Sequence, residues 1–324
     1  MKKVIAITTG GTIAMKYDRE KDGLVPAVSG EDLLEAVPPL KGIAQVEVVE
    51  YSNVPSGHIT PAMMFELAKL VDKKAADDEV AGIVITHGTD TIEETAYMLD
   101  LATHTQKPVC LTGAMRGASD MSWDGPGNIL AAVQAAISQK MFGQGVTVVL
   151  NDQIHAASEV TKTHSVNMAT FASPWWGPIG YVYGDQVVVK RHRAIQQKIY
   201  TDSLENDVYL LKTAAGMDGF LIECLIKKGV KGIVVEAFGC GNVPPAVKKA
   251  MEIARSHDIP VILATRVTAG RVAPIYSYEG SAGSLLSSGV ILAEESSGQK
   301  ARIKLMLALK ASKNNAELQA YFTD

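Results

Sequence analysis

Short runs of β-branched and aliphatic residues, each closing on a polar residue, alternate along the chain with segments whose apolar positions recur every three or four residues. Val4–Thr8, Val46–Tyr51, Gly82–Thr86, Val109–Thr112 and Val146–Leu150 fit β-strands of ordinary length. Between them, Thr60-Pro61 supplies an N-cap hydroxyl and a proline at the first helical position. Met63, Met64, Leu67, Leu70 and Val71 then follow at helical spacing. Thr91 and Glu94 have the spacing of a capping box that opens a helix through Tyr97, Met98 and Leu101. Gly125-Pro126-Gly127-Asn128 leads into a further helix over Ile129–Ile137. Strand–helix alternation of this kind predicts a largely parallel sheet covered on both faces.

The pattern fades from Gln186 to Asn206, a charged and irregular stretch that includes Lys190-Arg191-His192-Arg193. It predicts a linker over 191–207 between a first α/β domain at 1–190 and a second at 208–324, with Lys190–Arg193 as a solvated charged run. Alternation resumes with Val208–Leu211, a helix near Met217–Lys227, Gly232–Glu236, a helix over Pro245–Ser256, and Val261–Ala264. An amphipathic stretch, Ala301–Leu309, closes the second domain. Two domains also suit a chain of 324 residues, since one domain usually takes about 100–200.

Composition narrows the class of partner. With 47% hydrophobic and 20% charged residues the chain is an ordinary globular protein, and its net charge of -4 predicts no polyanion-binding surface, hence no nucleic-acid partner. The apolar stretch at the start covers only Val4 to Ile7, short of the ~7–15 residues of a signal core. No segment approaches the ~18 consecutive apolar residues of a membrane helix, so no membrane association is expected. Cys110, Cys224 and Cys240 are odd in number and widely spaced, which gives neither a disulfide framework nor a paired metal-ligand pattern. A reducing cytoplasm is the expected compartment.

Ligands of open α/β sheets bind at the carboxyl ends of the strands. Three polar turns fall there: Thr8-Thr9-Gly10-Gly11-Thr12-Ile13-Ala14, Thr86-His87-Gly88-Thr89-Asp90-Thr91 and Thr112-Gly113-Ala114-Met115-Arg116. Each exposes hydroxyls and backbone N–H groups to one shared crevice. Nucleotide binding is disfavoured, because neither G-x-G-x-x-G nor G-x-x-x-x-G-K-[ST] occurs. A tight turn explains Gly10-Gly11, but not the cluster of hydroxyls.

The first two turns resemble the signature segments of the L-asparaginase/glutaminase family. The likeness extends through Glu93-Glu94-Thr95-Ala96, Thr112–Arg116, Asp124-Gly125-Pro126, Val160-Thr161-Lys162-Thr163 and Gly239-Cys240-Gly241-Asn242, in order along nearly the whole chain. The resemblance implies two open, mostly parallel-sheet α/β domains, a larger flavodoxin-like one followed by a smaller Rossmann-like one. It implies hydrolysis of L-asparagine, with L-glutamine as a further substrate, and no metal or other cofactor. Thr12 then corresponds to the primary nucleophile, at the start of a mobile lid, and Thr89, Asp90 and Lys162 to the rest of the catalytic constellation. The chemistry is consistent with those positions. A threonine hydroxyl attacks only once a neighbour takes its proton, a desolvated lysine with a lowered pKa serves such a relay, and an ionised Asp90 near a helix start pairs with a substrate ammonium. His87 beside the turn is expected to be a satisfied histidine, not a base.

The same resemblance assigns Ser56 and Ala114, with Thr89 and Asp90, to substrate binding, and departs from the family in two places. Gly57 stands where glutamine or glutamate is usual, removing a contact to the α-amino end. The catalytic tyrosine of the family falls where this chain reads Asp22-Gly23-Leu24-Val25-Pro26, and the nearest tyrosine is Tyr17. Two roles fit Tyr17: reaching over Thr12, or only covering the site. A homodimer or homotetramer is also implied, in which the neighbouring copy supplies Asn242 and an acid for which Glu279 is the candidate. Trp175-Trp176 fits either packing or an interface. A broad glutaminase-asparaginase is the alternative enzyme. An ammonia-supplying subunit of a tRNA amidotransferase is the alternative of another class, although such subunits carry an extra N-terminal domain and here the motif begins at Thr9.

Overall fold

The computed structural model describes residues 1–26, 29–193 and 196–323. The chain divides into two compact units, Met1–Lys198 and Ile199–Asp324.

The first unit runs through β1 (Lys2–Thr8), a hairpin of β2 (Met15–Asp18) and β3 (Gly23–Pro26), α1 (Gly30–Glu35), β4 (Ala44–Glu50) and α2 (Pro61–Ala75). It continues with β5 (Val80–Thr86), α3 (Ile92–Ala102), β6 (Val109–Thr112), α4 (Gly125–Ile137), β7 (Val146–Leu150) and β8 (Gln153–Ala156). A small pair, β9 (Thr161–Lys162) and β10 (Phe171–Ala172), and the hairpin β11 (Gly180–Tyr183) and β12 (Gln186–Val189) complete it. The main sheet has the order β12-β11-β8-β7-β6-β5-β1-β4. Strands β4, β1, β5, β6 and β7 are parallel, and β8, β11 and β12 extend the sheet antiparallel. The chain leaves β1 for β4 on one side and returns to β5 on the other. The strand order therefore reverses between β1 and β5, where an open parallel sheet holds its ligand.

Burial on both faces explains why these strands read as continuous apolar runs. Every residue of β6 and β7 is buried. Along β1 and β5, Ile5, Ile7, Ile83 and Ile85 face a core with Leu67, Val71, Ile92 and Leu99 of α2 and α3. The alternate residues Val4 and Val84 face a second core with Ile129, Val133 and Leu33 of α4 and α1. Gly82 allows α4 to lie directly on β5, since a Cβ there would stand 2.2 Å from the Ala136 carbonyl oxygen.

Thr60 caps α2 as the sequence predicts, its Oγ1 accepting from Met63 N at 3.3 Å. The capping box predicted at Thr91 and Glu94 does not form. Thr91 occupies the N-cap without a side-chain cap bond, and its hydroxyl donates instead to the Ser56 carbonyl at 2.8 Å. The run Lys190–Arg193 is likewise not simply solvated. Arg191 Nη1 donates to Glu159 Oε1 at 2.9 Å, and the Arg193 guanidinium, only 6% exposed, pairs with Asp100. Of the stretch read as a linker, residues up to Lys198 fall in the first unit, and Ala194 and Ile195 lie outside the described residues.

The second unit comprises β13 (Val208–Lys212), α5 (Phe220–Lys228), β14 (Gly232–Ala237), α6 (Pro245–Ser256), β15 (Val261–Thr265), α7 (Ala282–Ser287), β16 (Ile291–Leu292), α8 (Gly298–Ala311) and α9 (Asn315–Ala320). Its four strands are all parallel and lie in chain order, so no reversal interrupts the sheet. Ile222, Val247, Met251 and Ala254 of α5 and α6 pack on Ile233, Val235, Val261 and Leu263. Among the described residues no helix is long and apolar enough to cross a membrane.

Candidate active site

The turns at the β1/β5 reversal are laced together by their own backbones. Thr9 N and Thr9 Oγ1 both donate to the Thr86 carbonyl at 3.0 Å. Gly11 N donates to Val54 O, Val54 N to Thr9 O, and His87 N to Thr112 O. Two glycines make this approach possible. Gly11 adopts φ 86°, and a Cβ on it would stand 2.3 Å from the Gly88 Cα, so the turns that carry Thr12 and Thr89 touch main chain to main chain. A Cβ on Gly88 would in turn meet the Ser56 side chain at 2.8 Å. Thr12 opens a single 3-10 turn, Thr12–Ala14, with a part-exposed side chain above the fully buried Ile13.

Lys162 reaches this crevice from the β9–β10 pair, where it is registered opposite Phe171. Its Nζ donates to Thr89 Oγ1 at 3.0 Å and to Asp90 Oδ1 at 2.7 Å. The lysine side chain is 14% exposed and that of Asp90 76%, so the pair has a covered amine and an open carboxylate. Ser56 Oγ accepts from Asp90 N at 3.2 Å, which ties the 54–58 loop to the turn after β5. A hydroxyl, a covered amine and an outward carboxylate thus converge on the turn after β5, whose Gly88 lies against Gly11, the residue before Thr12. Such a set can relay a proton at one end and bind a cation at the other.

His87 is fully enclosed. Its Nδ1 lies 2.8 Å from the Gly88 carbonyl, which can only accept, so Nδ1 carries the proton and Nε2 accepts from Thr95 Oγ1 at 2.9 Å. Both ring nitrogens are spent on holding α3 to the turn. Burial pushes its pKa from 6.5 to about 4, with the bond to Gly88 opposing. The unfolded chain therefore takes up a proton that the folded state refuses until about pH 4. This contribution to stability is complete above pH 6.5 and declines as pH falls toward 4, amounting to about 3 kcal/mol in all. Urea unfolding at pH 7 and 4.5 should show that decline reduced in His87→Gln; the same decline in both proteins would remove His87 as its source.

The other predicted positions are placed as follows. Ala114 follows β6 and is fully buried. Gly57 lies in a 3-10 turn, Ser56–His58, with open space where a Cβ would point. Tyr17 sits on the β2–β3 hairpin, registered across from Leu24, and its hydroxyl bonds the Asp22 carboxylate, which raises the phenol pKa. Asn242 follows β14 and Glu279 precedes α7, both in the second unit. Sequence reasoning did not anticipate Thr95 as the partner of His87, although its place one turn beyond Thr91 sets it on the same face of α3.

Fold and site together define a two-unit parallel α/β protein with a threonine–lysine–carboxylate cluster at the strand-order reversal of its first unit. Family models agree with this in both units: one described as "Asparaginase, N-terminal" matches residues 3–195, and one described as "Glutaminase/Asparaginase C-terminal domain" matches 207–322. A probable L-asparaginase of Deinococcus radiodurans is 36% identical over all of this chain and 98% of its own length. An L-asparaginase of Bacillus licheniformis is 35% identical over 96% of this chain and 97% of its own. The crystal structure of a probable cytoplasmic L-asparaginase from Campylobacter jejuni superposes with a TM-score of 0.92 at 34% identity, covering 99% of each chain. The chain belongs to the asparaginase family.

Proposed function

We propose that the chain hydrolyses the side-chain amide of L-asparagine to L-aspartate and ammonia through an acyl-threonine intermediate. The observation that carries this is the Lys162 amine, within hydrogen-bond reach of both Thr89 and Asp90, at the turn that adjoins Thr12. Thr12 Oγ1 forms a bond to the amide carbon while backbone N–H groups of the glycine-threonine turns stabilise the tetrahedral oxyanion. The C–N bond then breaks, and the proton lost by Thr12 passes through the Thr89–Lys162 relay to the leaving nitrogen. Water adds to the ester, releasing aspartate and restoring the hydroxyl. The open carboxylate of Asp90 pairs with the substrate's ammonium, Ser56 faces its α-carboxylate, and the fully buried Ala114 backs the same pocket. Tyr17, with its hydroxyl held by Asp22, serves as part of the lid, and as a catalytic group only once that bond opens. A cytoplasmic homodimer or homotetramer, in which a neighbouring copy contributes Asn242 and Glu279, completes the reading.

Gly57 favours a second reading, a glutaminase-asparaginase of broad specificity, because open space at this position holds no side chain toward the α-amino end. Ammonia release from L-asparagine, L-glutamine and their D-forms, at low and high concentration, separates the two. Comparable kcat/KM for both L-amides supports the broad enzyme, and release from neither overturns both. Gly57→Gln should lower KM for asparagine about three- to tenfold, the worth of one added hydrogen bond. An unchanged KM would show that position 57 does not reach the substrate.

A further inference from the structure

Asp124-Gly125-Pro126 has a family likeness but no part in the chemistry above. Asp124 stands at the N-cap of α4, where a carboxylate ordinarily binds the helix's own first N–H groups. It makes no such cap bond. Instead Oδ2 accepts from Met115 N at 3.1 Å and Oδ1 from Arg116 N at 3.0 Å. Asn128, one turn on and buried, donates from Nδ2 to Asp124 Oδ2 and to the Gly113 carbonyl, and its Oδ1 accepts from Asn151 N. The segment that contains Ala114 is therefore gripped on both sides by two residues of one helix start.

The far end of the same loop grips the lid. Ala118 N donates to the Met15 carbonyl at 3.0 Å, and Ser119 Oγ accepts from Tyr17 N at 2.7 Å. Asp120 stiffens the connection by accepting from Gly117 N at 2.9 Å. Gly125 provides a third contact: a Cβ there would stand 3.1 Å from Ile13 Cγ1, so the side chain next to Thr12 rests on this backbone. The loop from Gly113 to the start of α4 at Gly125 thus touches Met15, Tyr17 and Ile13, alternate residues of the segment that follows Thr12.

We infer that Asp124 is a positioning residue for Thr12 and the lid, acting through this loop, with Ser119 as the latch on the lid's first strand. The inference rests on Thr12 being the nucleophile. Misplacing a reacting group by about 1 Å can cost about a hundredfold in rate. Asn at position 124 would present an N–H to one of two backbone donors and release it.

The test compares Asp124→Asn, Ser119→Ala and the double variant by steady-state asparagine hydrolysis and by trypsin cleavage after Lys16, Arg19 and Lys21. Asp124→Asn should lower kcat about ten- to a hundredfold with KM changed less than about threefold. Ser119→Ala should lower kcat several-fold and speed cleavage of the hairpin. The double variant should be no slower than Asp124→Asn alone, because both act through one loop. A kcat for Asp124→Asn within twofold of wild type, or losses that multiply in the double variant, overturns the inference. If Asp124→Asn does not fold, Ser119→Ala decides: unchanged kcat with unchanged cleavage is the overturning result. Wild-type protein that releases no ammonia from either amide would instead sink the amidohydrolase reading, while the cleavage rates still report the latch.

Discussion

Thr89→Val is expected to lower kcat for asparagine hydrolysis by about a thousandfold or more, and Thr12→Val by at least as much, while both proteins stay folded. Valine keeps the shape of threonine and puts a methyl group where the hydroxyl was. At Thr89 that hydroxyl is the acceptor of the Lys162 amine, so the valine variant cuts the relay without opening a cavity. Lys162→Met should fall in the same range. Its loss does not strand a buried charge, because the Asp90 carboxylate is already 76% exposed and water can replace its partner. Residues that act as one unit lose activity non-additively, so Thr12→Val/Lys162→Met should be scarcely slower than Thr12→Val alone. Initial rates of ammonia release, beside circular dichroism of each variant, measure this. Turnover near wild type in both threonine variants would remove the proposed mechanism, and fully multiplicative losses would separate Lys162 from the threonine.

The turns that form the candidate site were legible because they are short polar segments that interrupt apolar strands. Thr9–Thr12 and Thr86–Thr91 follow runs that had to be strands, and a parallel sheet sends such ends to one edge. Lys162 was a different case. Taken alone it reads as a solvated surface lysine; only the likeness of Val160-Thr161-Lys162-Thr163 singles it out, and its partners stand 73 and 72 residues away. The missed antiparallel extension had a local signal. Asn151-Asp152, both with positive φ, and Gly184-Asp185 are two-residue connections between apolar runs, the usual mark of a hairpin. The Thr91 capping box failed for the opposite reason: its spacing was right, but the Ser56 carbonyl 35 residues away took the hydroxyl. Local pattern ranks the options open to a side chain, and tertiary packing selects among them.

The charged run after β12 carries the largest expected effect on stability. Asp100→Ala should destabilise the first unit by about 3–5 kcal/mol, the usual cost of stranding a buried partner. Asp100 is 1% exposed, and the side chains of its pair with Arg193 are 2% and 6% exposed. The pair is bidentate, with Arg193 Nη1 to Oδ1 at 3.0 Å and Nη2 to Oδ2 at 2.9 Å. Oδ1 also accepts from Val146 N at 2.9 Å, and the Asp100 carbonyl from Lys198 Nζ at 2.6 Å. One residue of α3 therefore binds the start of β7 and both ends of the 193–198 segment. Gly145 leaves room for the pair, since a Cβ there would stand 2.6 Å from Asp100 Oδ1. Alanine would leave the guanidinium buried against Gly145 without its bonded carboxylate, with only the Arg191-paired Glu159 as an anionic neighbour, and would free Val146 N as well. Asp100→Leu/Arg193→Met removes both charges together and should recover most of the loss, because the penalty lies in the orphaned charge and not in the absent attraction. Denaturant unfolding of the three proteins at one pH distinguishes these outcomes. A loss below about 1 kcal/mol in Asp100→Ala would place the pair with exposed ion pairs of little worth, and a double variant as unstable as the single would assign the loss to packing around α3.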